Sequence, residues 1–546
     1  MDLPATTSER KERRPLETGK WSFRNPGAWL SCIGVIVLFV ALRWNNYDAP
    51  LIRDEGEYFY SAALLKQGIA PYVNSFVQKP PMIIYTYAFA TTVLPNSYWS
   101  ARFLAYLFVA LTTVLLGIIA RFEFGPGVAL TAMWLFTPMI LQPAVEQFCA
   151  NTEMFLLLPL TAMLALLAWK RRSGGGGAMV WFVAGFLAAI TILYKYTAFP
   201  LLLVIFGSWS TCKLRTRDIS GLFSNWLFAA LGALTATVAV LGFFAAKGGL
   251  TEFLNCTILF NRFYAASGSF SSAEGFYSRL GLYATDWGIL LLGPLYFFSQ
   301  PGCKEPRIWF WMGLFVTAWI TTSISGYGQY YILVMPFWAV LCAVAANRFS
   351  AWLAAKKKWN ANMVRYPIIV TVVLLACAPD LSWILRTKEQ FASNKRVEYS
   401  NPFRESETVA KHVAEMTSPD DTVYVAGSEP QILFYAHRRS ATRFIIAYPL
   451  MIPTPLASLY QKEAMADLEK RRPKVMVFAT MSQSWLQQDG TPPEFLAYLK
   501  NLMRDHYDLA GGSVRDGNEW RWKEPIGPQD VPHATLLLLR RKPGEQ

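Results

Sequence analysis

Met82-Ile83-Ile84-Tyr85-Thr86-Tyr87-Ala88-Phe89-Ala90-Thr91-Thr92-Val93, opened by Pro80-Pro81 and closed by Pro95-Asn96, is an apolar segment too short for a comfortable bilayer crossing, which takes about 20 residues. Its status decides the topology of everything after it. If it crosses, Arg121, Lys170-Arg171-Arg172, Lys213, Arg215 and Arg217, Lys304 and Arg307, and Lys356-Lys357-Lys358 all face outward. That arrangement opposes the tendency of Lys and Arg to stay in cytoplasmic loops. If the segment lies along the outer interface instead, every one of those clusters is cytoplasmic. We adopt this second reading, with spans near 28–44, 100–120, 127–143, 153–169, 178–194, 196–211, 224–245, 286–301, 308–325, 329–347 and 365–386. These make about eleven helices of roughly 17 to 22 residues. The count is odd, so with residues 1–27 as a cytoplasmic tail the chain beyond 387 lies outside.

Composition agrees with a polytopic protein. Of 546 residues, 53% are hydrophobic, 15% aromatic and only 16% charged, and the apolar residues come in long runs. The net charge of +14 sits in short clusters between those runs rather than on a basic face with interleaved aromatics, which argues against nucleic acid. The seven cysteines are scattered singly and specify neither a disulfide framework nor a zinc site. All four histidines, His412, His437, His506 and His533, fall in the last third, so proton chemistry in the membrane part must use carboxylates, Lys or Tyr. The run at 28–44 is longer than a signal-peptide core and reads as a retained anchor.

Immediately upstream of the deciding segment, Arg53-Asp54-Glu55-Gly56-Glu57-Tyr58 leads through Pro71-Tyr72 to Gln78-Lys79-Pro80-Pro81. Carboxylates and cations crowded at a bilayer edge are costly and therefore point to a site, so the loop 45–99 reads as the active-site loop of a membrane enzyme. The same outer face collects Glu146 and Glu153, Lys195, Arg262 and Tyr264, and Gln329-Tyr330-Tyr331. Blander readings stand beside this one. Lys79 and Lys195 also suit lipid-anchoring lysines, and Tyr72, Tyr85, Tyr330 and Tyr331 suit an interfacial aromatic belt.

The segment 388–546 changes character. Arg404–Met416 reads as an amphipathic helix, and Thr422–Ala426, Thr442–Ala447, Val475–Ala479 and Ala534–Leu539 as strands, with helices at 430–437, 455–470 and 493–504. This is an α/β domain of ordinary size on the outer face. The Ser173–Gly177 tract is a flexible loop, and the lack of an evident internal repeat weakens an inverted-repeat transporter.

Arg53-Asp54-Glu55-Gly56-Glu57-Tyr58, then Gly68, Pro71-Tyr72 and Lys79-Pro80-Pro81-Met82, resembles the first outer loop of the GT-C class of glycosyltransferases, which use polyprenyl-phosphate-linked sugars. The likeness is strongest to bacterial relatives of the protein O-mannosyltransferases and of the lipid A aminoarabinose transferase. Trp99-Ser100-Ala101-Arg102 and Asn151-Thr152-Glu153 continue it, and Gly427-Ser428-Glu429-Pro430 is similar to part of a trailing domain in some bacterial members. The resemblance implies an inverting membrane glycosyltransferase with an outward-facing site, a polyprenyl-phosphate-sugar donor and a glycolipid, polysaccharide or protein acceptor.

In physical terms the catalytic set is Asp54, Glu55 and Glu153, with Asp54 as general base. Lys79 and Lys195 meet the phosphate, and Arg53, Glu57, Tyr58, Arg102, Glu146, Arg262, Gln329 and Tyr330 complete the substrate contacts. No P-loop or Rossmann fingerprint is present. Asp54, Glu55 and Glu153 offer hard oxygen ligands suited to a divalent metal, but their spacing does not demand one, and no cofactor is assigned. The alternative is a flippase or transporter of a lipid-linked sugar, which would place charge near mid-bilayer in broken helices. Here charge lies at one edge.

Overall fold

The computed structural model describes residues 26–43, 49–95, 98–141, 149–266, 287–299, 305–323, 327–380, 402–516 and 519–544, with a few isolated positions between them. A helical part comes first: α1 (Pro26–Ala41), α2 (Arg53–Lys66), α3 (Met82–Val93), α4 (Ser100–Phe124), α5 (Pro126–Ile140), α6 (Thr152–Ser173), α7 (Gly177–Tyr194), α8 (Phe199–Arg215) and α9 (Ile219–Ala246). Further helices follow at Phe260–Ala266, Leu292–Phe298, Pro306–Ser323, Met335–Lys357 and Ala361–Cys377. Each expected span has a helix near it. Among the described residues 6 helices are long and apolar enough to cross a membrane, which makes this a multi-pass membrane protein.

α3 covers the deciding segment with 12 residues. At the helical rise this reaches about 18 Å, well short of a hydrocarbon core of about 30 Å. It starts after Pro81, whose ring prevents continuation upstream, and stops before Pro95. One expected boundary is corrected. Gln329, Tyr330 and Tyr331 do not open the tenth span but lie on a 3₁₀ turn, Gly328–Leu333, ahead of the helix Met335–Lys357.

The C-terminal part is a six-stranded mixed sheet in the order β2-β1-β3-β6-β4-β5, with β1 Thr422–Ala426, β2 Arg439–Ser440, β3 Val475–Ala479, β4 Tyr507–Asp516, β5 Glu519–Lys523 and β6 Ala534–Arg541. β2 and β3 run parallel to β1, and the remainder pair antiparallel. The expected strand at Thr442–Ala447 is absent. Its backbone turns away from the sheet because its hydrogen bonds go elsewhere: Phe76 N–H donates to the Arg443 carbonyl at 2.6 Å, and Ala447 N–H to the Ser428 hydroxyl at 2.9 Å. Phe444 stacks on Phe76 of the α2–α3 loop at 5.8 Å.

α2 lies between the two parts, and this is what buries so polar a helix. One side packs on α3, with Phe59 edge-on to Tyr87 at 4.6 Å; the other stacks Phe59 on Phe434 of the helix Gln431–Ala436 at 4.8 Å. Gly56 allows the approach, since a Cβ there would stand 2.3 Å from the Gln431 backbone nitrogen. Tyr60 and Leu64 pack into the same buried cluster as Val423, Val477 and Leu538 of the sheet. Polar ties complete the seam: Ser440 N–H donates to the Tyr60 hydroxyl and Leu51 N–H to the Tyr435 hydroxyl, both at 2.8 Å.

Candidate active site

The first turn of α2 sends neighbouring side chains to different tasks. Glu55 turns inward, where its carboxylate accepts Arg102 Nε at 2.7 Å, Arg102 Nη2, and the N–H groups of Ala150 at 3.0 Å and Ile52 at 3.3 Å. Arg102 also donates to the carbonyls of Ala49 and of Pro50, the latter at 3.1 Å, and both side chains are fully buried. The bidentate pair thus joins the entry to α2, the start of α4 and the approach to α6. Of the candidate residues, Glu55 and Arg102 are thus engaged with each other and with the surrounding backbone.

Asp54 is partly exposed, and its carboxylate has no hydrogen-bond partner among the described residues. Around it, within electrostatic reach, stand Arg53, Glu57, Tyr58, Lys79, Tyr264, Tyr327 and Tyr448. Glu57 comes one turn later on the same helix, the spacing that puts two side chains on one face. It is buried, with one oxygen unpartnered among the described residues. Burial first and the neighbouring Asp54 second push its carboxyl up to about 8, against the opposing pull of Lys79 and the Gln78 N–H. At neutral pH Glu57 therefore keeps its proton. Tyr58 is buried beside it, edge-on to Tyr87 at 5.4 Å.

Lys79 is delivered by the α2–α3 loop, and one tyrosine shapes that delivery. Tyr72 is fully buried with φ of 68°, a left-handed conformation rare outside glycine, and its hydroxyl donates to the Lys79 carbonyl at 2.9 Å. The belt position expected for Tyr72 is thus replaced by a buried one. Burial alone would lower the Lys79 ammonium, but Tyr330, Asp54, Glu57 and Glu153 around it more than offset this and hold it above the ordinary lysine value. No carboxylate among the described residues comes within ion-pair distance of it.

Lys195 occupies the corner between α7 and a 3₁₀ turn, Tyr196–Ala198, and is buried. Its ammonium pairs with Glu153, in the first turn of α6, and sits 3.1 Å from the centre of the Tyr330 ring. Glu153 also accepts the Thr152 hydroxyl at 2.8 Å. Beside Tyr330, the carboxamide oxygen of Gln329 is buried without a partner among the described residues.

The fold therefore gathers Asp54, Glu57, Tyr58, Lys79, Glu153, Lys195, Gln329 and Tyr330. Arg53 instead bonds to the C-terminal domain, and Arg262 is exposed on the helix Phe260–Ala266, whose Tyr264 is the residue that approaches Asp54. Glu146 lies outside the described residues. Tyr327, Tyr448 and Glu429 were not among the sequence candidates; only the Gly427–Pro430 motif gave any sign of the last. Of the three carboxylates that offered hard oxygen ligands, Glu55 is engaged by Arg102 and Glu153 by Lys195, and Asp54 stands beside Lys79. No cluster of three or more His, Cys, Asp or Glu suited to a metal occurs among the described residues.

Residues 78–243 match the family model of the dolichyl-phosphate-mannose-protein mannosyltransferases. No curated protein matches the chain by sequence. Among solved structures, ArnT from Cupriavidus metallidurans bound to undecaprenyl phosphate superposes with a TM-score of 0.59 at 15% identity, over 95% of this chain and 98% of that one. AglB from Archaeoglobus fulgidus, an archaeal oligosaccharyltransferase in complex with an inhibitory peptide and a dolichol-phosphate, superposes with a TM-score of 0.55 at 14% identity, over 93% of this chain and 75% of that one. The chain has the fold of the GT-C glycosyltransferases, and within it residues 78–243 carry the signature of the dolichyl-phosphate-mannose-protein mannosyltransferases.

Proposed function

We propose that the protein moves a sugar from a polyprenyl-phosphate carrier to an acceptor hydroxyl at the outer face of a cytoplasmic membrane, with inversion at the anomeric carbon. The observation that carries this is a partly exposed carboxylate, Asp54, beside a buried ammonium, Lys79, neither of which has a side-chain ion-pair partner among the described residues. The two structural neighbours, solved with undecaprenyl phosphate and a dolichol-phosphate, support a lipid phosphate as the donor's anionic group. Asp54 takes the acceptor proton as the new C–O bond forms on the face opposite the departing phosphate. Lys79 stabilises the charge that grows on the leaving oxygen, and Lys195, oriented by Glu153 and Tyr330, supports it from the second side. The N-terminus is cytoplasmic and the sheet domain is outside, by the distribution of Lys and Arg. The acceptor is a glycolipid, a polysaccharide or a protein.

The test is transfer by the purified protein in liposomes from a radiolabelled polyprenyl-phosphate sugar, with envelope glycans compared by mass spectrometry in cells with and without the gene. Absence of transfer, together with unchanged glycans, would overturn the reading. Lys79→Ala should weaken donor binding by about 1.5 to 3 kcal/mol, or roughly ten- to a hundredfold, as expected for loss of a charge-assisted contact. Lys195→Ala should weaken it less, because that ammonium is already paired. Equal donor affinity for wild type and Lys79→Ala would make Lys79 a lipid anchor only.

Transfer should also fall as pH rises through about 8, where Glu57 ionises and places a second negative charge beside Asp54 and the phosphate. Below that pH the carboxyl is neutral and the fall is absent. Glu57→Gln cannot ionise, so its rates should stay level on the alkaline side; a Gln variant that retains the fall assigns it to another group.

A further inference from the structure

The motif Gly427-Ser428-Glu429-Pro430 is not used by the transfer chemistry just described, yet it meets the first turn of the active-site helix. Glu429 is fully buried. One of its oxygens accepts Arg53 Nη2 at 2.9 Å and the other accepts Gln431 Nε2 at 2.8 Å. Arg53 is held at two further points, the Gln483 carbonyl at 3.1 Å and the Tyr448 hydroxyl. All three anchors belong to the C-terminal domain, and Arg53 immediately precedes Asp54.

A residue merely gluing two domains need not be gripped so closely. Here the grip coincides with a backbone constraint: Gly56, two residues beyond Asp54, rests against the Gln431 backbone with no room for a methyl group. Gln431 is also the residue that fixes the second Glu429 oxygen. The turn carrying Asp54 is thus fastened on both sides of the carboxylate by one short segment, 428–431. Tyr448 in turn stands within electrostatic reach of Asp54, as do Tyr264 and Tyr327. Taking a carboxylate out of water is unfavourable unless a cation and hydrogen bonds compensate, so Glu429 holds this geometry only while Arg53 faces it. Conversely, without Glu429 Arg53 loses its one charged anchor in the C-terminal domain and keeps only the neutral Gln483 carbonyl and Tyr448 hydroxyl.

We infer that Glu429 is a positioning residue for the transfer reaction, acting across the domain boundary by clamping Arg53 and, through it, aiming Asp54 at the acceptor hydroxyl. This rests on the glycosyl-transfer reading above. Misplacement of a reacting group by about 1 Å can slow a reaction by about a hundredfold, so a clamp of this kind shows in turnover more than in donor binding.

The experiment uses the full-length protein in detergent or liposomes, with transfer expressed per mole of folded, monodisperse protein. Glu429→Gln keeps the shape and removes the charge. It should lower kcat by roughly ten- to a hundredfold while KM for the donor lipid stays within about twofold. Glu429→Asp should recover part of the loss. Tyr448→Phe, which deletes only a hydroxyl and should fold normally, should lower kcat by a smaller factor. Because Glu429 acts through Arg53, the double variant Arg53→Met/Glu429→Gln should be no worse than the poorer single variant. Turnover per folded molecule equal to wild type in Glu429→Gln and Tyr448→Phe, or losses that multiply in the double variant, would overturn the inference. Asp54→Asn run in parallel separates the two levels. If Asp54→Asn abolishes transfer but Glu429→Gln leaves it intact, the clamp fails and the function stands. If wild type itself transfers nothing, the function fails.

Discussion

Asp54→Asn should bind donor lipid like wild type and lose about 10²- to 10⁴-fold in transfer, the usual consequence of deleting a general base. Asparagine keeps the size of the side chain and its hydrogen-bonding outline but cannot take a proton. The expectation is sharp because Asp54 has no hydrogen-bond partner to lose among the described residues, so the substitution should leave folding almost untouched. Glu57 is a poor substitute, because burial, the larger cause of its raised carboxyl, stays in place when Asp54 becomes asparagine. Parallel measurements of donor affinity and of transfer by the purified variant decide the matter. Transfer within a fewfold of wild type would remove Asp54 from the mechanism.

Arg102→Met should do the reverse, harming the fold first. It leaves the buried Glu55 carboxyl without its cation, and it strips the carbonyls of Ala49 and Pro50 of their donor. Removing one partner of such a buried pair typically costs about 3 to 5 kcal/mol. The damage should appear as a lowered apparent melting temperature and a shortened half-life in detergent. Glu55→Gln combined with Arg102→Met should regain much of the loss, because the uncompensated charge is then gone. An Arg102→Met protein that melts like wild type would mean that the pair contributes little to holding the loop, α4 and α6 together.

The different fates of Asp54 and Glu55 mark the limit of what the sequence shows. Both are acidic residues at an apolar edge, and nothing local separates them. What distinguishes them is Arg102, 47 residues away, which reaches one and not the other. Lys79, Lys195 and Tyr330 were legible because a cation or a tyrosine beside a long apolar run is conspicuous, and the fold brings them together. Tyr448 carried no such signal, and although the Gly427–Pro430 motif marked Glu429, nothing in a 376-residue separation says that Arg53 and Glu429 meet.

The same contrast runs through the fold. Thr422–Ala426 and Val475–Ala479 are short, valine-containing apolar runs largely buried inside the sheet, and their ends read true. Thr442–Ala447 has similar local preferences, but contacts with the α2–α3 loop outweigh them. The β4–β5 hairpin escaped notice because Gly511-Gly512 interrupts its alternation and its Trp520 and Trp522 lie on an edge strand.

The seam between α2 and the sheet domain has a consequence for anyone building chimeras. Leu51, Arg53, Gly56, Tyr60 and Phe76 meet Tyr435, Glu429, Gln431, Ser440 and Arg443 one for one. A graft joined in the connection before Pro402 would set a foreign sheet on a native α2 and mismatch the whole row. The exchangeable cassette is discontinuous in sequence: residues 49–81 must travel with 402–544, and any helical part that receives them must keep Arg102 and the Ala150 N–H for Glu55.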